Sequence, residues 1–271
     1  MADSFRPATR EDYPIFSRLF PELGTGDPTP TPDVWWPAFG AHTFFLEREG
    51  GPIGYVFLQI LDGLGYIRHV IVDPDHRGRG VGRSLMQEAA RRVREAGVER
   101  WCLNVKPDNE PAVRLYERVG MSLQHASVAM RMGWDIISRL PEPSPDVSTT
   151  ELLPAADASV ELALGLPGGL LVRNRKQPGV RLWVTRRGLQ IVGVAVFSPS
   201  FPGAYPFAAD TIDALRSSLE AMRADADPRF DYVQLVLEGA PTLAKALDDA
   251  GAVRHLEFVH FAGPVPILEE E

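Results

Sequence analysis

The chain has 271 residues, of which 45% are hydrophobic and 24% charged, and its formal net charge is −8. This composition is typical of a globular protein with a buried core, and the length suits one large domain or two of about 135 residues each. The negative balance provides no overall basic field, so it predicts neither a nucleic-acid partner nor an anionic membrane surface as partner.

In the first half, apolar periodicity and turn residues predict alternating helices and strands. A helix over 12–20 precedes strands over 43–47 and 53–60, and a third strand stops at Pro74. A helix over 81–96 follows, and strand, helix and strand close the half over 100–105, 110–119 and 122–130.

Three prolines alternate with polar residues over 141–150, which disfavours helix and predicts an extended linker. The predicted domains are therefore 1–140 and 151–271, with 141–150 as the linker.

The second half repeats the order of the first. Its predicted elements are a helix over 159–166, strands over 181–185 and 191–197, a helix over 211–223, and strand, helix and strand over 232–238, 241–250 and 253–261. Gly120 and Gly251 stand at the same place in the two halves, as helix C-terminal stops. The matching order indicates a duplication.

Cys102 is the only cysteine, which excludes a disulfide framework and a cysteine-rich zinc site, and no metal site is predicted. Residues 1–6 contain no apolar segment of the secretory type, and the apolar runs fall short of the ~20 residues that cross a bilayer. The expectation is a cytoplasmic protein without membrane contact, as a monomer or homodimer.

A glycine-rich turn joins the third strand to the helix over 81–96, and this arrangement is an anion site by construction. The first N–H groups of a helix lack intrahelical partners, and the helix dipole adds favourable partial charge. Glycines let the backbone approach a ligand closely, and arginines can bind a pyrophosphate through bidentate contacts. The predicted site consists of Arg77, Gly78, Arg79, Gly80, Val81, Gly82, Arg83 and Ser84.

Two common phosphate loops fail on spacing. A Rossmann fingerprint needs its third glycine at position 83, which is Arg83. A Walker A loop needs four residues between its glycines and then a lysine, whereas three residues separate Gly78 from Gly82 and Arg83 follows.

The segment resembles the signature of the GNAT acetyltransferase superfamily, with Arg77, Gly80 and Gly82 after a strand exit at Val72 and Pro74. The family's second motif is similar to the stretch that runs from Asn109 through Ala112 and Tyr116 to Gly120, where Met121 replaces the usual aromatic residue. The resemblance covers roughly residues 5–132.

This resemblance implies an α/β (α+β) fold of two tandem GNAT-like domains, each a twisted, mixed and mainly antiparallel sheet flanked by helices. It also implies N-acetyl transfer in which acetyl-CoA and an acceptor amine bind together and the amine attacks the thioester directly. The acceptor that the resemblance implies is an amine of a small molecule or peptide.

The family's roles carry over to particular residues. Val70, Ile71 and Val72 are implied to pair with the pantetheine arm and to polarise the thioester carbonyl through their N–H groups. Asn109 is implied to contact the pantetheine side. Tyr116 is implied to protonate the departing CoA thiolate, since a phenol of pKa ~10 is reasonably matched to a thiol of pKa ~8.5.

The general base stays open. An amine of pKa ~10 is only about 0.1% free base at pH 7, so a base is expected. Strand alternation places Val72, Val70, Arg68 and Tyr66 on one face of the strand. His69 is then on the other face with Ile67 and Ile71, away from the cofactor, unless a bulge shifts the register. Glu22, Glu47, Asp62 and a water chain are the alternatives.

The second half lacks the loop, because residues 204–212, where the signature should fall, contain neither glycine nor arginine. The strand there runs almost directly into the helix. Residues 241–250 also contain no tyrosine. The second domain is therefore predicted to be a degenerate copy without a cofactor site. A non-catalytic acyl-CoA-binding sensor and a scaffold protein are the competing hypotheses.

Overall fold

A computed structural model describes residues 4–48 and 50–267. The chain divides into two compact units. The first unit contains Met1–Gln124 and His260–Glu271, and the second contains His125–Val259.

The first unit begins with a four-stranded antiparallel meander, in which β1 pairs with β2, β2 with β3 and β3 with β4. β5 then joins β4 in parallel. Its elements are β1 (Ser4–Pro7), α1 (Tyr13–Leu19), α2 (Pro32–Ala38), β2 (Thr43–Arg48), β3 (Gly51–Leu61), β4 (Leu64–Val72), α3 (Val81–Glu95), β5 (Arg100–Val105), α4 (Glu110–Arg118) and the start of β6 (Ser122–Gly133).

The second unit repeats this pattern. Strands β7 to β10 form an antiparallel meander, and β11 joins β10 in parallel. Its elements are β7 (Val147–Glu151), α5 (Asp157–Leu164), α6 (Leu170–Arg175), β8 (Arg181–Arg187), β9 (Gln190–Ser198), β10 (Gly203–Ala209), α7 (Ile212–Ala224), β11 (Tyr232–Glu238), α8 (Pro241–Ala250) and most of β12 (Val253–Pro264). The equal sheet order confirms two tandem domains of mixed, mainly antiparallel sheet with helices.

Each unit contains part of the last strand of the other sequence repeat. Residues 127–133 of β6 pair antiparallel with β11 inside the second unit. The end of β12, from His260 onward, belongs to the first unit, where the N–H of Val265 donates to the carbonyl of Glu99 just before β5 at 2.8 Å. This exchange of strands had no signal in the sequence.

The bounds of the compact units therefore differ from the predicted domain ranges 1–140 and 151–271. These ranges describe the two sequence repeats, and for the repeats they stay a prediction. The predicted linker over 141–150 is a connection only in part, because Val147–Glu151 forms β7 and pairs with β8. The run from Val147 to Thr150 contains three β-branched residues, which favour a strand over a free linker.

Apolar side chains from both sheets form the cores. In the first unit, Phe16, Leu19 and Trp35 of α1 and α2 pack on Tyr55 and Phe57 of β3. Trp35 is fully buried, which identifies it as a packing residue. Among the described residues, no helix is long and apolar enough to cross a membrane.

Candidate functional site

A bulge in β4 determines which side chains share a face of the first sheet. Phe57 pairs with His69 but Leu58 pairs with Ile67, so Arg68 is an extra residue in β4. The bulge resets the alternation. Tyr66, Arg68, His69 and Ile71 therefore lie on the face of α1 and α2, which corrects the expectation that Arg68 and Tyr66 share a face with Val72.

Contacts on both faces agree with this arrangement. A Cβ on Gly65 would meet Val93 of α3, so the neighbouring Tyr66 lies on the opposite face. Val72 lies 3.9 Å from where a Cβ on Gly82 of α3 would be, which places Val72 on the α3 face.

β4 and β5 separate immediately before the bulge. Their parallel register covers Gly65 with Trp101, Tyr66 with Cys102 and Ile67 with Leu103. Beyond this point Val70, Ile71 and Val72 pair with β3 on their other edge. The edge facing β5 is thus open, as a strand-like ligand would need. We call this opening the fork.

The loop after β4 has the backbone of an anion site. Gly78 and Gly80 have φ of 72° and 82°, a region that favours glycine, and a Cβ on either would meet nothing within 4 Å. Ser84 donates its N–H to the carbonyl of Gly80 at 3.1 Å, so the amides of residues 81–83 precede the first intrahelical bond of α3. Open space therefore adjoins the N-terminus of a 15-residue helix.

Gly82 has a different role. A Cβ there would lie 3.1 Å from Leu115 of α4. Because glycine has no Cβ, α3 and α4 can approach closely at this position. A side chain at residue 82 would meet α4 and not the open space beside the loop.

The arginines of the loop differ in their surroundings. Arg77 donates to Glu22 at 2.5 Å and to the carbonyl of Val72 at 3.3 Å. Arg79 and Arg83 are exposed. Nearby, Arg18 binds the carboxylate of Asp73 at 2.5 Å and holds the pKa of that group below its usual range. Glu22 is thus engaged beside the loop, which argues against it as the base.

Asn109 and Tyr116, the two site residues predicted in the second motif, lie near opposite ends of α4. Asn109 is the N-cap, and its side-chain oxygen accepts from the N–H of Ala112 at 3.3 Å. Tyr116 is 7% exposed, and burial raises the pKa of its phenol. The Tyr116 side chain is thus neutral at physiological pH, the form required of a proton donor.

His69 is enclosed by aromatic rings. The ring centroids of Phe57, Phe39, Phe20 and Tyr55 lie 5.1, 5.7, 5.8 and 6.0 Å from that of His69. Burial lowers the pKa of His69 to about 3. The imidazole is therefore neutral and weakly basic near pH 7, which disfavours it as a general base.

The remaining acidic candidates are also placed. Glu47 accepts from Arg6 at 2.8 Å, and Asp62 is exposed in the turn between β3 and β4. Neither lies at the fork.

A polar network at the fork was missed by sequence reasoning. Asn104, the first residue after the last β4–β5 pair, donates its amide to the Tyr66 hydroxyl at 2.9 Å. The Nδ1 of His260 lies 2.8 Å from the side-chain oxygen of Asn104. Because His260 stands on the last strand of the chain, no local motif could have predicted this contact.

The second unit keeps a similar separation but not the loop. β10 pairs with β11 at Gly203–Gln234 and Ala204–Leu235, and its register with β9 then shifts. Two residues separate the end of β10 at Ala209 from the start of α7 at Ile212. So short a connection leaves no glycine loop before the helix.

Comparison with known proteins agrees with this geometry. Residues 9–121 match the family model of the acetyltransferase (GNAT) family. Residues 9–121 are therefore similar to a GNAT acetyltransferase domain.

Sequence relatives cover parts of the chain. A Bacillus subtilis protein named for N-acetylation of alanine in ribosomal protein bS18 is 31% identical over 81 residues, 30% of this chain and 54% of the relative. A mycothiol acetyltransferase of Actinosynnema mirum is 33% identical over 137 residues, 46% of this chain and 45% of the relative. The chain spans about half the length, or less, of these curated relatives.

Solved structures are similar over the whole chain. A GCN5-related N-acetyltransferase of Sphaerobacter thermophilus has a TM-score of 0.67 at 18% identity, over 99% of this chain and 98% of that one. A tandem GNAT protein from the clavulanic acid pathway has a TM-score of 0.64 at 14% identity, over 99% and 100%. At these identities the similarity concerns the fold, and the fold is that of tandem GNAT proteins.

Proposed function

We propose that the protein is an N-acetyltransferase that moves the acetyl group of acetyl-CoA to an amine of a small molecule or peptide. The observation that carries this proposal is the fork in the first sheet, whose open β4 edge leads directly to the glycine loop at the start of α3. The pantetheine arm fits the open edge, and the pyrophosphate fits the helix N-terminus.

The loop residues suit a pyrophosphate on three grounds. Gly78 and Gly80 leave open space, the amides of residues 81–83 point out of the helix start, and Arg79 and Arg83 are exposed cations. Arg77 would exchange part of its contact with Glu22 for the ligand. Asn109 keeps its capping role and would contact pantetheine through its amide.

The reaction is direct attack in a ternary complex. The amine nitrogen forms a bond to the acetyl carbon while the carbon–sulfur bond of the thioester breaks. N–H groups of Val70 to Val72 would stabilise the charge on the carbonyl oxygen, and Tyr116 would give its proton to the leaving thiolate. The proton lost by the amine passes to water or a base at the fork.

The acceptor class rests on chemistry and on relatives. One curated relative is named for a protein alanine and others for mycothiol, so both peptide and small-molecule acceptors occur among proteins similar to this one. The net charge of −8 mildly favours a cationic amine. We further propose a cytoplasmic monomer or homodimer that binds neither nucleic acid nor membrane.

Isothermal titration with acetyl-CoA, followed by an amine panel with acetyl-CoA, tests the proposal. We expect one equivalent per chain and transfer to at least one amine. Binding of two equivalents would refute the degenerate second copy. Tight binding without transfer or hydrolysis would favour the acyl-CoA sensor, and no CoA binding would favour the scaffold.

A further inference from the structure

The last strand of the chain brings a histidine to the fork of the first unit. His260 is partly buried, and its ring meets the ring of Tyr66 edge-on at 6.4 Å between centroids. Tyr66 in turn is 5% exposed and carries the guanidinium of Arg68 over its face at 3.5 Å.

The direction of the hydrogen bonds follows from their partners. The carbonyl oxygen of Asn104 can only accept, so the Nδ1 of His260 donates to it at 2.8 Å. This bond orients the amide, whose nitrogen then donates to the Tyr66 hydroxyl at 2.9 Å. His260 therefore fixes the orientation of Asn104, and Asn104 fixes that of Tyr66.

We propose that His260 is a positioning residue for the acceptor amine, acting through Asn104 and Tyr66. The inference rests on the proposed function. Asn104 and Tyr66 are the polar side chains at the point where β4 and β5 part, next to the backbone expected to hold the thioester. An amine that attacks there would pass these two side chains, whose oxygens can accept hydrogen bonds from its N–H groups.

The position separates His260 from the cofactor loop. Ile67, at the fork, and Val72, the last residue of β4, are separated along the strand by about 16 Å at the usual strand rise. A substitution at His260 should therefore alter acceptor use and leave pyrophosphate binding intact. The second sequence repeat thus contributes to the first unit's reaction through its last strand, which gives a reason to retain a copy without a cofactor loop.

The test compares His260→Ala and His260→Gln with His255→Ala, a matched control on the same strand that contacts Arg131 in the second unit. The measurements are kcat and KM for an acceptor found in the amine panel, and the Kd of CoA. We expect His260→Ala to lower kcat/KM for the acceptor about tenfold, because the Asn104 oxygen loses its donor. CoA affinity should stay within about twofold. His260→Gln retains an N–H donor and should recover most of the loss, and His255→Ala should match the wild type.

The outcomes separate the two proposals. If the wild type transfers acetyl and His260→Ala has unchanged kcat and KM, the positioning role is refuted while the function stands. The positioning role is also refuted if acceptor use and CoA binding fall in parallel in both His260 variants. If the wild type transfers acetyl to no amine, the function itself fails and the inference with it. If His260→Ala does not fold, the His260→Gln measurement and an Asn104→Ala variant, expected to show the same acceptor defect, decide the question.

Discussion

The ring of Tyr116, on α4, lies 6.4 Å from the ring of Phe261, on the last strand of the chain. Phe261 is 3% exposed and belongs to the first unit. The residue proposed as proton donor is thus packed against the exchanged strand, and its burial keeps the phenol protonated.

Tyr116→Phe removes only the hydroxyl, so the packing against Phe261 should survive. We expect kcat to fall about 100-fold, the lower end for loss of a general acid, with the Kd of CoA within a few-fold. Because the raised pKa keeps the hydroxyl protonated, wild-type kcat should show no loss from Tyr116 ionisation between pH 6 and 9. The control is Tyr232→Phe in the second unit, which should retain full activity. Unchanged turnover in Tyr116→Phe across this range would return Tyr116 to a structural role.

Gly80→Leu should abolish CoA binding, because a side chain would enter the open space before α3 and L-residues avoid φ of 82°. Gly97 provides a matched control at the other end of the same helix, with φ of 72° and equally open surroundings. Gly97→Leu carries a similar backbone cost of about 1 kcal/mol but should leave the Kd of CoA unchanged. Isothermal titration compares the two. Equal loss of CoA binding in both variants would mean that the substitutions act by destabilising α3 and not by filling the loop.

Glu22→Gln should tighten CoA binding by about twofold to fivefold at low salt, since it removes a carboxylate that competes for Arg77 at an exposed ion pair. Arg77→Gln should weaken binding. The control is Glu110→Gln, whose partner Arg114 lies on α4 and is equally exposed. Titrations at two salt concentrations measure the effect, which should shrink at high salt. Weaker binding of CoA to Glu22→Gln would contradict the competition.

His69 should make the protein less stable in mild acid. Its pKa is about 3 in the folded chain and about 6.5 when unfolded, so the unfolded state binds more protons between these values. The contribution of neutral His69 to the free energy of unfolding is fully present above pH 6.5 and decreases as the pH falls below this value. At pH 5 the free energy of unfolding is lower by about 2 kcal/mol on this account. Urea unfolding of wild type and His69→Leu at pH 7.5 and 5 isolates this contribution. An identical pH dependence in both proteins would show that His69 is readily protonated in the fold.

Local patterns were enough to predict most elements and the glycine-rich loop between β4 and α3. The helix that begins at Val81 is predicted by a regular apolar stripe and a preceding glycine turn. Both signals depend only on residues close in sequence, so tertiary contacts do not change them. The face of Tyr66 did not follow, because the extra residue Arg68 between Ile67 and His69 reverses the alternation before it and leaves no mark in composition.

Long-range pairing explains the other misses. The exchange of β6 and β12 depends on which of two similar strands lies beside β5, and either is compatible with the same apolar pattern. The contact of Asn104 with His260 is a consequence of that choice. Motif spacing within one repeat contains no information about it.

Deleting residues 260–271 should destabilise the first unit, although the GNAT motifs remain intact. The deletion removes the strand segment beside β5, uncovers Tyr116, and takes away the carbonyls of Val265 and Pro266 that accept from Arg94. Loss of the buried Phe261 side chain alone should lower the free energy of unfolding by about 3 kcal/mol, or the Tm by roughly 6–12 °C.

The matched control for this deletion is a chain that ends after Ile267 and keeps every one of these contacts. Calorimetry of the two truncated chains gives the comparison, and CoA titration below the lower Tm should show binding in both, because the loop over residues 77–84 is unchanged. Equal Tm values would mean that the end of β12 adds nothing to the fold of the first unit.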